Sequence, residues 1–176
     1  MPFFYLIFFL LMGQTPITLF QFSDQSDLNQ WQVVNDGVMG GLSKGSISLN
    51  EEGKGVFQGY VSLENNGGFS LVQHTFGPRD VSGYSSLELR LKGDGKKYQI
   101  RVKSDASQYY NYSCSIESTG DWQIISIPFN KFIPQFRGRE LNMPPYPGEK
   151  IGEVAILIGN KKAEDFKIEI DKIVLK

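Results

Sequence analysis

The sequence predicts an all-β fold, a sandwich or barrel built from many short strands. Three observations support this class. Apolar and polar residues alternate with a period of two in several runs, turn residues separate those runs, and no stretch of about twelve residues shows a helical apolar period. The chain has 176 residues, of which 40% are hydrophobic, 19 are glycine and 8 are proline. This composition suits one packed core with many turns.

The predicted strands follow one another along the chain. Alternating runs occur at residues 46–50, 57–64, 87–92, 98–103, 110–116, 122–127 and 166–171. The turn Gly93-Asp94-Gly95 lies between two of these runs, which is typical of a β-hairpin. Residues 154–158 are apolar at every position, so we expect a central strand that is buried on both faces.

The N-terminus carries an unbroken apolar run at residues 3–12, which ends at Gly13-Gln14-Thr15-Pro16. About ten residues is the length of a signal-peptide core and half of a membrane span. The first basic residue is Lys44, which argues against a mitochondrial presequence. We therefore predict that residues 1–18 are a signal-peptide-like or anchor segment of an exported or membrane-anchored protein. A cytoplasmic location and a buried first strand are the alternatives, and residues 19–176 are predicted to form one β-sandwich domain.

Charge and rare residues exclude several functions. The chain has 18 basic and 19 acidic residues, so it lacks the basic excess that nucleic-acid binding needs. It has one cysteine, Cys114, and one histidine, His74, too few for an intrachain disulfide or for a zinc site of cysteines and histidines. We predict no cofactor, although a structural calcium ion held by loop oxygens stays open without assignable ligands.

No catalytic constellation stands out. His74 alternates like a strand residue, and the chain has no Gly-x-Ser-x-Gly elbow. Cys114 falls on the apolar face of its run, which indicates a small buried side chain. Asp36, Asp94, Asp121 and Asp171 all stand at predicted turns or strand edges. We therefore predict that the protein is not an enzyme.

The most distinctive stretch is residues 31–43, Trp-Gln-Val-Val-Asn-Asp-Gly-Val-Met-Gly-Gly-Leu-Ser. A phosphate-binding loop would need a helix after it, whereas a strand-like run follows here. A tight loop is the better interpretation, with glycines that allow positive φ or a close backbone approach. Asn35 and Asp36 would then hydrogen-bond the backbone of that loop.

This stretch resembles the signature of the complex I intermediate-associated protein 30 family. Further matches, in order, are Phe57-x-Gly59, residues 64–70, residues 89–95, Trp122, residues 127–132, residues 136–139 and residues 168–173. The resemblance covers about residue 19 to the end. It implies a galactose-binding-like jelly-roll sandwich and a non-catalytic role, as an assembly factor or chaperone-like protein for a respiratory complex I-like complex. The N-terminal apolar segment departs from the family pattern.

Two loops are the candidate sites for protein partners such as respiratory-complex subunits. The first holds Asn35, Asp36 and Met39, and the second is a long loop predicted at residues 134–147, which holds Phe136, Arg137, Arg139 and Tyr146. Arginines and aromatic residues are favoured at interface hot spots. An apolar patch rimmed by Arg137 and Arg139 would favour a protein partner.

The alternative function is a carbohydrate-binding module of an exported protein. Solvent-facing rings stack on sugars, so a row of rings across a concave sheet would favour this function. The candidate rings are Trp31, Tyr84, Tyr98, Tyr109, Tyr110, Tyr112 and Trp122. Ordinary core packing is the competing interpretation of the same residues.

Overall fold

The computed structural model describes residues 15–176, apart from the side chains of Val38 and Met39. The strands are β1 Ile17–Gln21, β2 Trp31–Asn35, β3 Lys44–Leu49, β4 Gly55–Val61, β5 Ser70–Asp80, β6 Ser86–Lys92, β7 Lys97–Lys103, β8 Asn111–Glu117, β9 Gln123–Pro128, β10 Ile133–Phe136, β11 Arg139–Glu140, β12 Lys150–Ile158 and β13 Glu164–Leu175. Short 3-10 turns occupy Leu28–Gln30, Asp36–Met39, Glu64–Asn66 and Phe129–Lys131. Most of the predicted leader, residues 1–14, lies outside the described residues, and Ile17 and Thr18 already belong to β1.

The strands form two sheets, and the strand pairs within residues 15–176 are antiparallel. Sheet A has the order β3-β4-β13-β6-β9, with β1 alongside β13. Sheet B has the order β11-β10-β8-β7-β12-β5-β2. Strand β13 runs along β4 with its first half and along β1 with its second half, while β6 pairs with its other edge. The predicted all-β sandwich is confirmed.

The core lies between the two sheets. Alternation directs Phe57 and Ile168 inward from sheet A, and Ile100 and Ile156 inward from sheet B, and each of these side chains is 0% exposed. Burying one such side chain contributes about 1.5–3 kcal/mol to the free energy of unfolding. Strand β12 is buried at nearly every position because it lies between β7 and β5. The prediction of a central strand at residues 154–158 is confirmed.

The prediction of a β-hairpin at Gly93-Asp94-Gly95 is wrong. Strand β6 before this turn lies in sheet A, and strand β7 after it lies in sheet B. The Asp94 carboxylate accepts hydrogen bonds from the Tyr98 hydroxyl and from the backbone N–H of Lys167, at 3.1 and 3.0 Å. These contacts tie the turn to β13, so the chain crosses from one sheet to the other. Leu91 and Tyr98 both enter the shared core.

The long loop predicted at residues 134–147 is also different in the structure. Its first part forms strands β10 and β11, joined by Arg137 and Gly138. Strand β10 pairs with the beginning of β8, so this hairpin extends one edge of sheet B. The polar and proline-rich composition of the segment concealed a strand of only four residues.

Candidate functional site

The β10–β11 hairpin projects two arginines from the edge of sheet B. Arg137 and Gly138 form its two-residue turn, with φ values of 49° and 75°. Two successive positive φ values are typical of the type I′ turn, whose twist fits an antiparallel hairpin. Arg137 therefore adopts a left-handed conformation that costs a non-glycine residue about 1–2 kcal/mol. Both Arg137 and Arg139 are exposed.

Aromatic rings lie beside these arginines. The Phe136 side chain is 37% exposed, and the Arg137 guanidinium lies 5.3 Å from the centre of its ring. Tyr109, which is 67% exposed, packs edge-on against the same ring, with 5.5 Å between ring centres. Among residues 15–176, neither Arg137 nor Arg139 forms an ion pair. We call Tyr109, Phe136, Arg137 and Arg139 the hairpin patch.

Tyr146 does not belong to this surface. Its side chain is 3% exposed and its hydroxyl donates a 2.7 Å hydrogen bond to the carbonyl oxygen of Lys150. Its ring packs edge-on against Phe129, with 5.1 Å between centres. Burial raises the pKa of the Tyr146 hydroxyl above its usual range. The prediction that Tyr146 shares a partner-binding surface with the arginines is therefore wrong, because the segment after β11 folds back and inserts the Tyr146 ring into the core.

The other predicted loop is organised around the carboxylate of Asp36, which is 2% exposed. One oxygen accepts from the backbone N–H of Ser43 at 3.1 Å. The other accepts from the Ser43 hydroxyl at 2.5 Å and from the backbone N–H groups of Gly68 and Phe69 at 2.6 and 3.2 Å. Burial raises the pKa of Asp36, but these hydrogen bonds together outweigh it and hold the pKa below its ordinary value.

Glycines make room for this carboxylate. A Cβ atom on Gly41 would lie 2.2 Å from Asp36 Oδ1, and one on Gly67 would lie 2.6 Å from Asp36 Oδ2. Gly40 has a φ of 83°, in the left-handed region that favours glycine. The glycine-rich signature thus lets the backbone close around a buried acid.

Asn35 has a similar internal role. Its Oδ1 atom accepts from the backbone N–H of Gly45 at 3.0 Å and from the Ser70 hydroxyl at 2.6 Å. The polar atoms that Asn35 and Asp36 were predicted to offer a partner are therefore engaged inside the protein. The Met39 side chain lies outside the described residues. A contact of these three residues with a partner stays a prediction.

The two rare residues of the chain occupy structural positions. The His74 side chain is 7% exposed, its Nδ1 lies 2.9 Å from the carbonyl oxygen of Gln30, and its ring stacks on Trp31. Since a carbonyl oxygen only accepts, Nδ1 carries the proton. Cys114 packs against the core, and burial raises the pKa of its thiol. Within residues 15–176, no group of three His, Cys, Asp or Glu side chains is arranged to hold a metal ion.

Most of the rings that could have stacked on sugars are in the core. Trp31, Tyr98 and Tyr112 are 4%, 1% and 6% exposed, and Tyr84 and Tyr110 pack partly against the same cluster. The Trp122 ring is covered by the guanidinium of Arg90, which lies 4.6 Å from its centre. Of the seven candidate rings, Tyr109 is the one exposed large side chain, and it belongs to the hairpin patch.

Comparison with known proteins places these features in a family. The model of the family "Complex I intermediate-associated protein 30" matches residues 20–170. The Mus musculus protein "Complex I intermediate-associated protein 30, mitochondrial" is 26% identical in an alignment 180 positions long, which covers 88% of this chain and 54% of that protein. The Drosophila melanogaster protein of the same name is 26% identical in an alignment 189 positions long, which covers 93% of this chain and 64% of that protein. The chain thus spans between about half and two thirds of these relatives' length.

A solved structure confirms the predicted jelly-roll sandwich fold. The family 11 carbohydrate-binding module of a cellulosomal cellulase of Clostridium thermocellum superposes with a TM-score of 0.65. It is 16% identical, and the match covers 92% of this chain and 94% of that module. At this identity, the similarity shows the fold alone.

The relatives correct the predicted location. The mouse and fly proteins are both named as mitochondrial, so the prediction that argued against mitochondria is wrong. That prediction relied on the composition of residues 1–18, whereas the family match begins at residue 20. No helix within residues 15–176 is long and apolar enough to cross a membrane.

Proposed function

Because the chain belongs to the complex I intermediate-associated protein 30 family, we propose that it is a non-catalytic protein-binding module that assists assembly of a respiratory complex I-like complex. The relatives' names supply the class of partner. The observation that carries the proposal is the hairpin patch, an exposed surface of aromatic rings and unpaired arginines.

The composition of the patch suits a protein partner. Arginine and aromatic side chains are enriched at interface hot spots, because they combine apolar area with directed hydrogen bonds. Arg137 and Arg139 pair with no carboxylate among the described residues, so their guanidinium groups are available to acidic side chains of a partner. The edge strand β11 is two residues long and charged, which discourages self-association through the sheet edge.

The internal roles of the acid and histidine side chains support the non-catalytic part of the proposal. The Asp36 carboxylate is occupied by four donors from its own chain, and the His74 Nδ1 is bonded to a backbone carbonyl. Neither group is exposed to a substrate.

The test is crosslinked affinity purification of the tagged full-length protein from its native host, with bound proteins identified by mass spectrometry. The variant is Arg137→Ala/Arg139→Ala. The matched control is Arg79→Ala/Lys162→Ala, which also removes two exposed cations. Arg79 lies 5.1 Å from the centre of the Phe76 ring, so the control also loses an arginine that stacks on phenylalanine.

We expect subunits of a respiratory complex to be enriched with the wild-type and control proteins, and to fall at least tenfold with the hairpin variant. Enrichment that the hairpin variant retains would remove the hairpin patch from the proposal. The absence of any enriched respiratory subunit from the wild-type sample would overturn the assembly role.

A further inference from the structure

The outer face of sheet B carries a half-buried arginine near its centre. Ile100 and Val102 point into the core, so Arg101 between them points away from it. In the sheet, Arg101 is opposite Ser113 of β8 and Ala155 of β12. Neighbouring side chains remove much of its water, and this burial lowers its pKa to about 10.

Within residues 15–176, Arg101 has no anionic partner. Its Nε and Nη2 atoms donate to the amide oxygen of Gln99, at 3.3 and 2.9 Å. The acid on the same face of β12, Glu153, is engaged by Lys103 at 3.4 Å and by the Thr75 hydroxyl at 3.1 Å. No carboxylate among residues 15–176 pairs with Arg101, and residues 1–14 contain no Asp or Glu.

An unpaired, partly desolvated guanidinium is costly for the folded protein, and a bound anion offsets that cost. Its planar fork of N–H donors matches the two oxygens of a carboxylate. The position of Arg101 in the middle of a sheet, rather than on a mobile loop, also holds the fork in place.

Amide side chains lie on the same face of sheet B as Arg101. They come from β2, β5, β7, β8 and β10, and are Gln32, Gln73, Gln99, Asn111 and Gln135. Each amide can donate and accept at once, as a sugar hydroxyl does. The Asn111 Oδ1 atom is buried and accepts no hydrogen bond from the described residues.

We propose that the outer face of sheet B binds an oligosaccharide that carries a carboxylate group, with Arg101 holding the carboxylate and the flanking amides holding hydroxyls. An extended peptide fits this face less well. Its backbone would need free N–H and C=O groups, and those of β7, β12 and β5 are already paired on both sides. This inference is independent of the proposed assembly function, which uses the hairpin patch.

The test is isothermal titration calorimetry on the full 176-residue chain. The probes are tetragalacturonate, the neutral cellotetraose and an octaglutamate peptide. The variants are Arg101→Gln and Gln73→Ala. Arg79→Ala is the control because it removes an exposed arginine at the opposite end of β5 from Gln73. Thermal unfolding of each variant checks that the fold is retained.

We expect tetragalacturonate to bind with a sub-millimolar dissociation constant, and Arg101→Gln to weaken it at least tenfold. Gln73→Ala should weaken it two- to fivefold and Arg79→Ala should leave it unchanged. Absence of tetragalacturonate binding, or equal binding by Arg101→Gln, would overturn the proposal. Equal binding of cellotetraose would overturn the role of the carboxylate, and binding of octaglutamate alone would indicate an acidic peptide instead.

Discussion

Asp36 illustrates how much of this fold depends on single side chains. Its carboxylate joins the β2–β3 connection to the β4–β5 connection through Ser43, Gly68 and Phe69. A buried charge is tolerated because each hydrogen bond offsets part of its desolvation. Glycine is therefore required around Asp36 for two reasons: a side chain would collide with the carboxylate, and the backbone adopts a positive φ at Gly40.

Two glycines of this loop provide a matched pair of tests. We predict that Gly41→Ala lowers the free energy of unfolding by about 1–3 kcal/mol, because its Cβ would lie 2.2 Å from Asp36 Oδ1. Gly37→Ala should change it by less than about 0.5 kcal/mol, since a Cβ there meets nothing within 4 Å. Urea unfolding of both variants measures the difference. Equal losses would mean that crowding of the carboxylate is not the cause.

The sequence predicted part of this arrangement. Asn and Asp beside several glycines indicate a tight loop whose side chains bond to backbone, and that prediction is confirmed for Asp36. The partners Gly68 and Phe69 could not be predicted, because they are more than 30 residues away in sequence. For the same reason, the burial of Asp36 could not be predicted from the sequence.

At the scale of elements, the β10–β11 hairpin combines strain with exposure. Arg137 holds a left-handed conformation in which its side chain is fully projected beside Phe136. Glycine adopts this conformation without the steric cost. An arginine at a strained turn fits a residue that serves binding rather than stability.

We predict that Arg137→Gly raises the free energy of unfolding by about 0.5–1 kcal/mol, after the greater entropy of glycine in the unfolded chain is allowed for. Arg139→Gly should lower it by about 0.5–1 kcal/mol, because Arg139 lies in strand β11 without a positive φ. Thermal unfolding and the affinity purification described above would be run on both. Destabilisation by Arg137→Gly would contradict the strained-turn interpretation.

Elements differ in how well their sequence predicts them. The period-two runs correctly predicted strands β3, β4, β6, β7, β8, β9 and β13, because side chains on one face of each pack against the core. Strand β10 escaped prediction because it has only four residues and includes Pro134. The burial of Tyr146 depends on how the chain returns after β11, which no local pattern indicates.

Contacts between the two sheets determine the topology of the whole molecule. Asp-Gly between alternating runs predicted a hairpin, yet β6 and β7 lie in different sheets. Local turn chemistry fixes a reversal of the chain but not the sheet to which the next strand belongs. That choice depends on the packing of both apolar faces across the shared core, which the sequence of the turn does not indicate.

Two buried acids on different parts of the molecule link its stability to pH. Burial raises the pKa of Asp171, but Lys54 and Arg90, at 2.5 and 2.8 Å, outweigh it and hold the pKa below its ordinary value of 3.8. The pKa of Asp36 is also held below its ordinary value, by the hydrogen bonds to its carboxylate. A carboxyl whose pKa is lower in the folded state contributes stability that is fully present above its unfolded pKa. That contribution is lost as the pH falls through the folded pKa.

We therefore predict that the free energy of unfolding is nearly constant from pH 7 to about pH 5 and falls steeply below about pH 4. Asp36→Asn should be less stable than wild type at pH 7, by about 1–3 kcal/mol, because an amide replaces two acceptor oxygens with one. The gap between the two proteins should narrow toward pH 2, where the wild-type carboxyl is protonated. Urea unfolding at several pH values measures the difference in free energy of unfolding between the two proteins. Asp165→Asn is the control, because Asp165 is exposed. A gap that stays constant with pH would show that Asp36 contributes through packing and not through its charge.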